Sequence, residues 1–221
     1  LTDISKILIS PSIIASDLSR MGNLVSSFDK TIVDLLHMDV MDGTFVPNIT
    51  FGAAYIKSLS AHTDIPFDIH LMIERPGDSI KEYMDLKPYC ITFHYEADKY
   101  PARILKIIRE AGIIAGVSIN PSTPVESIYD LLPYMDMVLI MSVDPGFYGQ
   151  AFMETSINRI KKLSDFINKN NYNVRIEVDG GINADNISRI VKAGASMIVA
   201  GNSAFKGNDV NKNVAFLKSR A

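Results

Sequence analysis

Two histidines and two aspartates stand out for the company they keep. His37 and Asp39 lie in Leu36-His37-Met38-Asp39-Val40-Met41-Asp42-Gly43, His70 lies in Asp68-Ile69-His70-Leu71-Met72, and Asp179 lies in Ile176-Glu177-Val178-Asp179-Gly180-Gly181. All three stretches are otherwise apolar. Residues two apart on an extended strand share a face, so His37 and Asp39 project together, either into a barrel or out toward packed helices. Imidazole and carboxylate together are a donor set for a divalent transition metal. His37, Asp39, His70 and Asp179 are therefore the candidate ligands of one ion, Zn2+ or Fe2+, with Mn2+ or Co2+ also compatible. The competing reading makes each histidine a hydrogen-bonded core residue. His62 sits in the polar turn Ala61-His62-Thr63-Asp64 and reads as solvated. His94, in Phe93-His94-Tyr95-Glu96, lies at the same end of the fold, where a direct role at the site and a supporting or structural role are equally compatible, and Cys90 reads as a small buried hydrophobe.

Three glycine-containing segments suggest a second kind of chemistry. They are Asp144-Pro145-Gly146-Phe147-Tyr148-Gly149-Gln150, Asp179-Gly180-Gly181 and Ala200-Gly201-Asn202-Ser203. Glycine lets the backbone approach a ligand and aim consecutive N–H groups at an anion. No lysine or arginine lies within these motifs. A phosphate there would rest on backbone N–H groups and a helix dipole, with side-chain donors from Asn202 and Ser203.

These residues need a frame. Eight short, continuously apolar runs recur: 7–14, 32–40, 67–73, 91–95, 115–119, 137–143, 174–178 and 197–200. Strands of a buried parallel sheet read this way. Amphipathic stretches separate them. Leu18, Met21, Leu24, Val25 and Phe28 share one helical face. Ile104, Ile107, Ile108 and Ala111 repeat the spacing before Gly112, as do Ile157, Ile160, Leu163, Phe166 and Ile167, and then Ile187, Ile190 and Val191 before Gly194. Asp185 and Asn186 are placed to cap the last of these. Eight βα units in 221 residues predict an α/β fold, a single-domain (β/α)₈ barrel over residues 1–221. Active sites of such barrels lie at the C-terminal strand ends, where the histidines, aspartates and glycines fall.

Composition narrows the function. Hydrophobic residues make up 47% and charged residues 21%, which excludes intrinsic disorder as the main state. Basic and acidic side chains number 22 and 25, a net charge of −3, which argues against nucleic acid as a partner. No apolar run reaches membrane-spanning length, so no membrane partner is expected. Leu1–Lys6 lacks the pattern of a secretory signal. With one cysteine, a cytoplasmic setting is the expectation.

The motifs together resemble the ribulose-phosphate 3-epimerase family. The resemblance runs from Ser10-Pro11-Ser12-Ile13 to Gly201-Asn202-Ser203. It includes the three blocks holding His37, His70 and Asp179, Phe45-Val46-Pro47-Asn48, Asn120-Pro121-Ser122-Thr123-Pro124, and Met141-Ser142-Val143-Asp144-Pro145-Gly146-Phe147-Tyr148-Gly149-Gln150. It implies a metal on His37, Asp39, His70 and Asp179, with Asp39 and Asp179 as the catalytic acid/base pair. It implies substrate contacts from Ser12 and His70, and a phosphate cradle from Gly146, Phe147, Tyr148, Gly149, Gly180, Gly181, Gly201 and Asn202. Met41, Met72 and Met141 would line the cavity, and the protein would be a homo-oligomer. Asn202 stands where the family commonly has serine, and Tyr148 where a small residue is frequent, which would narrow the pocket or alter loop closure.

The implied reaction interconverts D-ribulose 5-phosphate and D-xylulose 5-phosphate, in the pentose phosphate pathway. Inverting a carbon beside a ketone requires one group to remove its proton and another to return one to the opposite face. Two carboxylates, one ionised and one protonated, meet that need. A sibling reaction on a six-carbon ketose such as D-allulose 6-phosphate would use the same machinery. A metal-dependent hydrolase or lyase and a non-catalytic sugar-phosphate binder are the remaining alternatives.

Overall fold

The strands form where the β-branched runs lie, and each ends where its residues stop finding a parallel neighbour. In the computed structural model, which describes residues 6–221, they are β1 Leu8–Pro11, β2 Leu36–Met41, β3 Phe67–Met72, β4 Cys90–His94, β5 Ile114–Ile119, β6 Met137–Met141, β7 Arg175–Asp179 and β8 Met197–Ala200. Residues 1–5 of the segment read above as lacking a secretory signal lie outside the described part. The first run is cut short at Pro11, which has no N–H to donate. Ser12 N–H to Ala200 O, 3.0 Å, continues the pairing before the chain turns into a 3₁₀ segment at Ile13–Ala15.

Every strand pair is parallel, and the order β1-β8-β7-β6-β5-β4-β3-β2 brings first and last strands together. A bridge between Ser12 and His37 joins the β1 and β2 edges, so the barrel is nearly closed and its seam runs beside the candidate site. Helices separate the strands, as right-handed βα crossovers demand. The helices anticipated around Ile104, Ile157 and Ile187 are α4 Pro101–Glu110, α5 Thr155–Lys169 and α6 Ile187–Lys192. The stretch 17–28 is split into a 3₁₀ turn, Leu18–Arg20, and a short α1, Met21–Val25. Helices not singled out from the sequence are α2 Ala53–Leu59, α3 Ile80–Met84, α7 Asn202–Phe205 and α8 Val210–Arg220. Between β5 and β6 the connection is a 3₁₀ run, Val125–Tyr134, that carries Pro133 inside it. Asn186 does not cap α6 with its side chain. Its Oδ1 accepts from Asn183 N and its Nδ2 donates to Gly181 O, so it braces the glycine turn after β7.

Alternation along each strand separates two interiors. Met38, Val40, Ile69, Leu71, Val138, Ile140, Ile176 and Val178 face outward into one continuous apolar core with the helices. Fully burying such a side chain is worth about 1.5–3 kcal/mol. The alternate residues face the lumen. Leu8, Leu35, Cys90, Met137 and Met197 form a separate apolar cluster there, and buried polar side chains from Ser10 to Glu177 share the barrel. Among the described residues no helix is long and apolar enough to cross a membrane.

Candidate active site

Register assembles the polar residues. In the β2–β3 pair, His37 lies opposite Asp68, Asp39 opposite His70, and Met41 opposite Met72. Asp179 arrives at the end of β7 opposite Met141 of β6. The question left open by the sequence, in or out, is thereby answered: His37 and Asp39 point into the barrel. His37, Asp39, His70 and Asp179 each present one ligand atom to a common point, all within 4.8 Å of one another. His37 Nε2 lies 3.2 Å from Asp39 Oδ1 and 4.0 Å from Asp179 Oδ2, and His70 Nδ1 lies 3.3 Å from Asp39 Oδ1.

The residues fit a divalent cation. His37 Nδ1 is 2.6 Å from Asp68 Oδ2, and Cys90 Sγ donates to Asp68 Oδ1 at 3.1 Å. A proton held on Nδ1 by that carboxylate leaves the His37 Nε2 lone pair aimed at the oxygens of Asp39 and Asp179. This nitrogen is fully buried and has no well-aligned hydrogen-bond partner. Electron pairs facing one another in a dry site require positive charge between them, either a proton or a metal ion. Two imidazoles and two carboxylates are suitable donors for the latter.

The two candidate acids titrate apart. Burial would raise Asp39, but the charge of His37 and the hydrogen bonds of His37 and His70 outweigh it and hold the carboxyl well below the usual range. Burial, and then the charge on Asp39, push Asp179 up to about 7. Burial pulls His70 down to about 4 and also lowers His94, so both rings are neutral near pH 7. For His37 burial is overcome by Asp68 and Asp39, and its pKa rises well above the ordinary value. Burial and Asp68 likewise raise Glu177, and burial, Asp68 and Glu177 keep Cys90 a thiol. Cys90 is thus a hydrogen-bond donor to the carboxylate behind His37, more than the inert hydrophobe its sequence context suggests.

Above this cluster opens a cavity of about 570 Å³. Asp39, Asp179, Ser12, Met41, Met72 and Met141 form its floor and walls. The three methionines are buried. Ser12 lines the cavity, yet its Oγ donates to Asp39 Oδ2 at 2.5 Å, so it orients the carboxylate. His70 is fully buried and is not part of the cavity lining, in contrast to the expected substrate contact.

The glycine segments after β6, β7 and β8 form the cavity's other side. Gly180 and Gly181 have φ of 116° and 62°. A Cβ on Gly181 would lie 2.3 Å from Phe152 N, so only glycine lets the two loops meet. Gly146 and Gly149 also have positive φ. Gly201 does not, and an added Cβ would meet nothing nearer than Ala15 Cβ at 3.8 Å; the space beside it belongs to the cavity. Asn202 stands close to the β6 loop, its Nδ2 3.3 Å from where a Cβ on Gly149 would lie. Two expectations need correction. Ser203 Oγ donates to Ile182 O at 2.7 Å and is committed to the protein backbone. Although the glycine motifs contain no cation, Lys206, just beyond α7, lines the same cavity. Phe147 and Tyr148 line the same cavity at its rim, 57% and 62% exposed.

Asp68, Glu177 and the support behind His94 escaped the sequence reading. The signal was available: Asp68 is two residues before His70, and Glu177 two before Asp179, so each must share its partner's face. His94 Nε2 is 2.9 Å from His70 Nε2, which resolves its role as support for a candidate ligand. His62 is exposed, as its polar turn implied.

Comparison with known proteins places this geometry. A family model described as the ribulose-phosphate 3 epimerase family matches residues 8–205. Ribulose-phosphate 3-epimerase of Aquifex aeolicus (strain VF5) is 40% identical over 212 residues, 96% of each chain. The Mycobacterium bovis enzyme of that name is 40% identical over 214 residues, covering 97% of this chain and 93% of its own. The Bacillus subtilis (strain 168) enzyme is 37% identical over 213 residues, covering 96% and 98%. Among solved structures, 3-keto-L-gulonate-6-phosphate decarboxylase from Vibrio cholerae superposes with a TM-score of 0.73 at 14% identity, covering 97% of both chains. That likeness establishes the barrel fold alone.

Proposed function

The chain belongs to the ribulose-phosphate 3-epimerase family and is an isomerase, and from that premise we propose that it interconverts D-ribulose 5-phosphate and D-xylulose 5-phosphate by two-base proton transfer at C3. One observation carries the reading. Two carboxylates from separate strands border a single cavity, and their environments drive their pKa values apart. Near neutral pH Asp39 is ionised, whereas Asp179, at about 7, passes between its protonated and ionised forms. That asymmetry is what inversion requires of its two partners.

Asp39 takes the C3 proton of D-ribulose 5-phosphate on one face, and Asp179 delivers its proton to the other. In the reverse direction the roles exchange. Ser12 Oγ donates to Asp39 Oδ2 and fixes the orientation of that carboxylate at the cavity floor. Met41, Met72 and Met141 neither donate nor accept protons, so they keep the reacting carbon from alternative proton sources. Backbone N–H groups of the loops at Gly146–Gly149, Gly180–Gly181 and Gly201–Asn202 hold the phosphate, with the charge of Lys206 nearby. The loop 144–151 closes over the bound sugar and excludes water. His37 Nε2, His70 Nδ1, Asp39 and Asp179 would hold one divalent ion, Zn2+ or Fe2+, with Mn2+ or Co2+ as alternatives. When bound, such an ion supplies positive charge that stabilises negative charge developing on the substrate oxygens.

The test is NMR of metal-loaded protein in D₂O with D-ribulose 5-phosphate and, separately, D-allulose 6-phosphate. The expected result is D-xylulose 5-phosphate carrying deuterium at C3, with a higher kcat/KM for the pentulose. Carbon–carbon cleavage, or a preference for the six-carbon sugar, would overturn the assignment.

A further inference from the structure

Both candidate acid/base residues are gripped by their backbones as well as by their carboxylates. The carbonyl oxygen of Asp39 accepts from Thr50 Oγ1 at 2.6 Å. The carbonyl oxygen of Asp179 accepts from Ser142 Oγ, also at 2.6 Å. Thr50 lies in the loop after β2, and Ser142 is the first residue beyond β6. A carbonyl oxygen can only accept, so the direction of both bonds is fixed.

Ser142 works from behind the site. It is fully buried and outside the cavity lining, whereas Asp179, Gly180 and Gly181 border the cavity. Its backbone N–H also donates to Asp179 O, at 2.7 Å, and its hydroxyl reaches Gly180 O at 2.7 Å. One residue thus grips two consecutive peptide units where β7 ends and the glycine turn begins. The β6–β7 ladder stops at Met141 and Asp179, so beyond it the hydroxyl supplies the donor that the Gly180 carbonyl needs. Ser142 is itself fixed on both sides. Arg159 Nη1 donates to Met141 O at 2.8 Å, and Met153 N donates to Ser142 O at 3.0 Å. Thr50 plays the corresponding part at β2. Its Oγ1 donates to Asp39 O while accepting from Met41 N at 3.0 Å, so it holds the segment that carries Asp39 into the cavity.

We propose that Ser142 and Thr50 are positioning residues, each holding the backbone of one acid/base residue, so that Ser142 serves the Asp179 face of the sugar and Thr50 the Asp39 face. The assignment to faces rests on the functional reading above, whereas the hydrogen bonds do not. An aspartate carboxylate is separated from its backbone by only two rotatable bonds, so a tilted peptide displaces it directly. A displacement of about 1 Å can cost ~10²-fold in rate. Asp39 is also held at its carboxylate by Ser12 Oγ. Loss of the Thr50 hydroxyl should therefore matter less than loss of the Ser142 hydroxyl.

The experiment measures initial deuterium wash-in at C3 of each epimer in metal-loaded protein, paired with backbone carbonyl ¹³C shifts, which read the hydrogen bonds without turnover. Ser142→Ala should slow wash-in to D-xylulose 5-phosphate by about 10-fold, a fraction of the loss that a 1 Å misplacement causes. It should leave wash-in to D-ribulose 5-phosphate at the wild-type rate. Thr50→Val should do the reverse, more weakly. The carbonyl signals of Asp179 and Gly180 should move upfield in Ser142→Ala, and that of Asp39 in Thr50→Val, as each loses its donor. A general loss of structure would slow both epimers together, so equal slowing of the two would overturn the proposal. So would carbonyl signals that move while both wash-in rates hold, or carbonyl signals that do not move. If wild type exchanged neither epimer while the signals moved as expected, the functional reading would fail and the hydrogen-bond assignment would stand.

Discussion

On β7, Ile176 and Val178 enter an apolar layer shared with the helices, while Glu177 and Asp179, alternating with them, enter the lumen. The outward residues need only to be apolar and of suitable volume. The lumen gathers His37, Asp68, Glu177 and Asp39 in a space from which water is largely excluded. Burying those groups is costly, and their mutual hydrogen bonds offset the cost only in part. Stability therefore resides mainly in the outer layer, which holds an inner layer that would not assemble by itself. Activity resides in the inner layer.

The sharpest way to break this division is to neutralise the lumen carboxylates. Asp39→Asn or Asp179→Asn should lower kcat at least ~10²-fold while leaving the protein folded by circular dichroism, because an isosteric amide removes charge without removing volume. Near-normal turnover in either would dissolve the distinction. The converse change is Leu105→Ala on α4, a fully buried residue of the outer core. It should cost about 2–5 kcal/mol of unfolding free energy in denaturant titration and leave kcat per folded molecule unchanged.

A smaller effect should come from pH in metal-free protein. Asp179 has a folded pKa of about 7 against an ordinary 3.8. Its proton thus favours the folded state at low pH, and that contribution is lost as pH rises through this window. The raised pKa of His37 has the same sign, its share being lost as pH climbs above the ordinary 6.5. Below pH 6.5 the lowered pKa values of His70 and His94 act with the opposite sign, so thermal unfolding scans should show the Tm of metal-free protein falling from about pH 6.5 to 8. The gap between metal-loaded and metal-free Tm should widen over the same range, since bound metal replaces those protons.

Much of this was legible from residues alone, for physical reasons. Buried parallel strands must be continuously apolar, so eight runs announced the barrel. Lumen residues break that rule, so His37, Asp39, His70 and Asp179 stood out. Asp68 and Glu177 break the same rule, each two residues from a candidate ligand and so on its face, but both lie deeper in the barrel than the strand ends where such sites are sought. The commitment of Ser203 to Ile182 O and the arrival of Lys206 at the cavity depend on how the chain turns after β8, and local spacing does not determine that. Short helices such as α2 and α3 were missed because five to seven residues show too little of a 3.6-residue period.

Deuterium wash-in at C3, followed separately for each epimer in the two asparagine variants, tests the account most directly. With Asp179→Asn, D-ribulose 5-phosphate should acquire deuterium with its configuration retained, because Asp39 still reaches that face, and D-xylulose 5-phosphate should not exchange. With Asp39→Asn the pattern should be reversed. If a single variant exchanged both epimers, one base would be serving both faces, and the assignment of opposed roles to Asp39 and Asp179 would be contradicted.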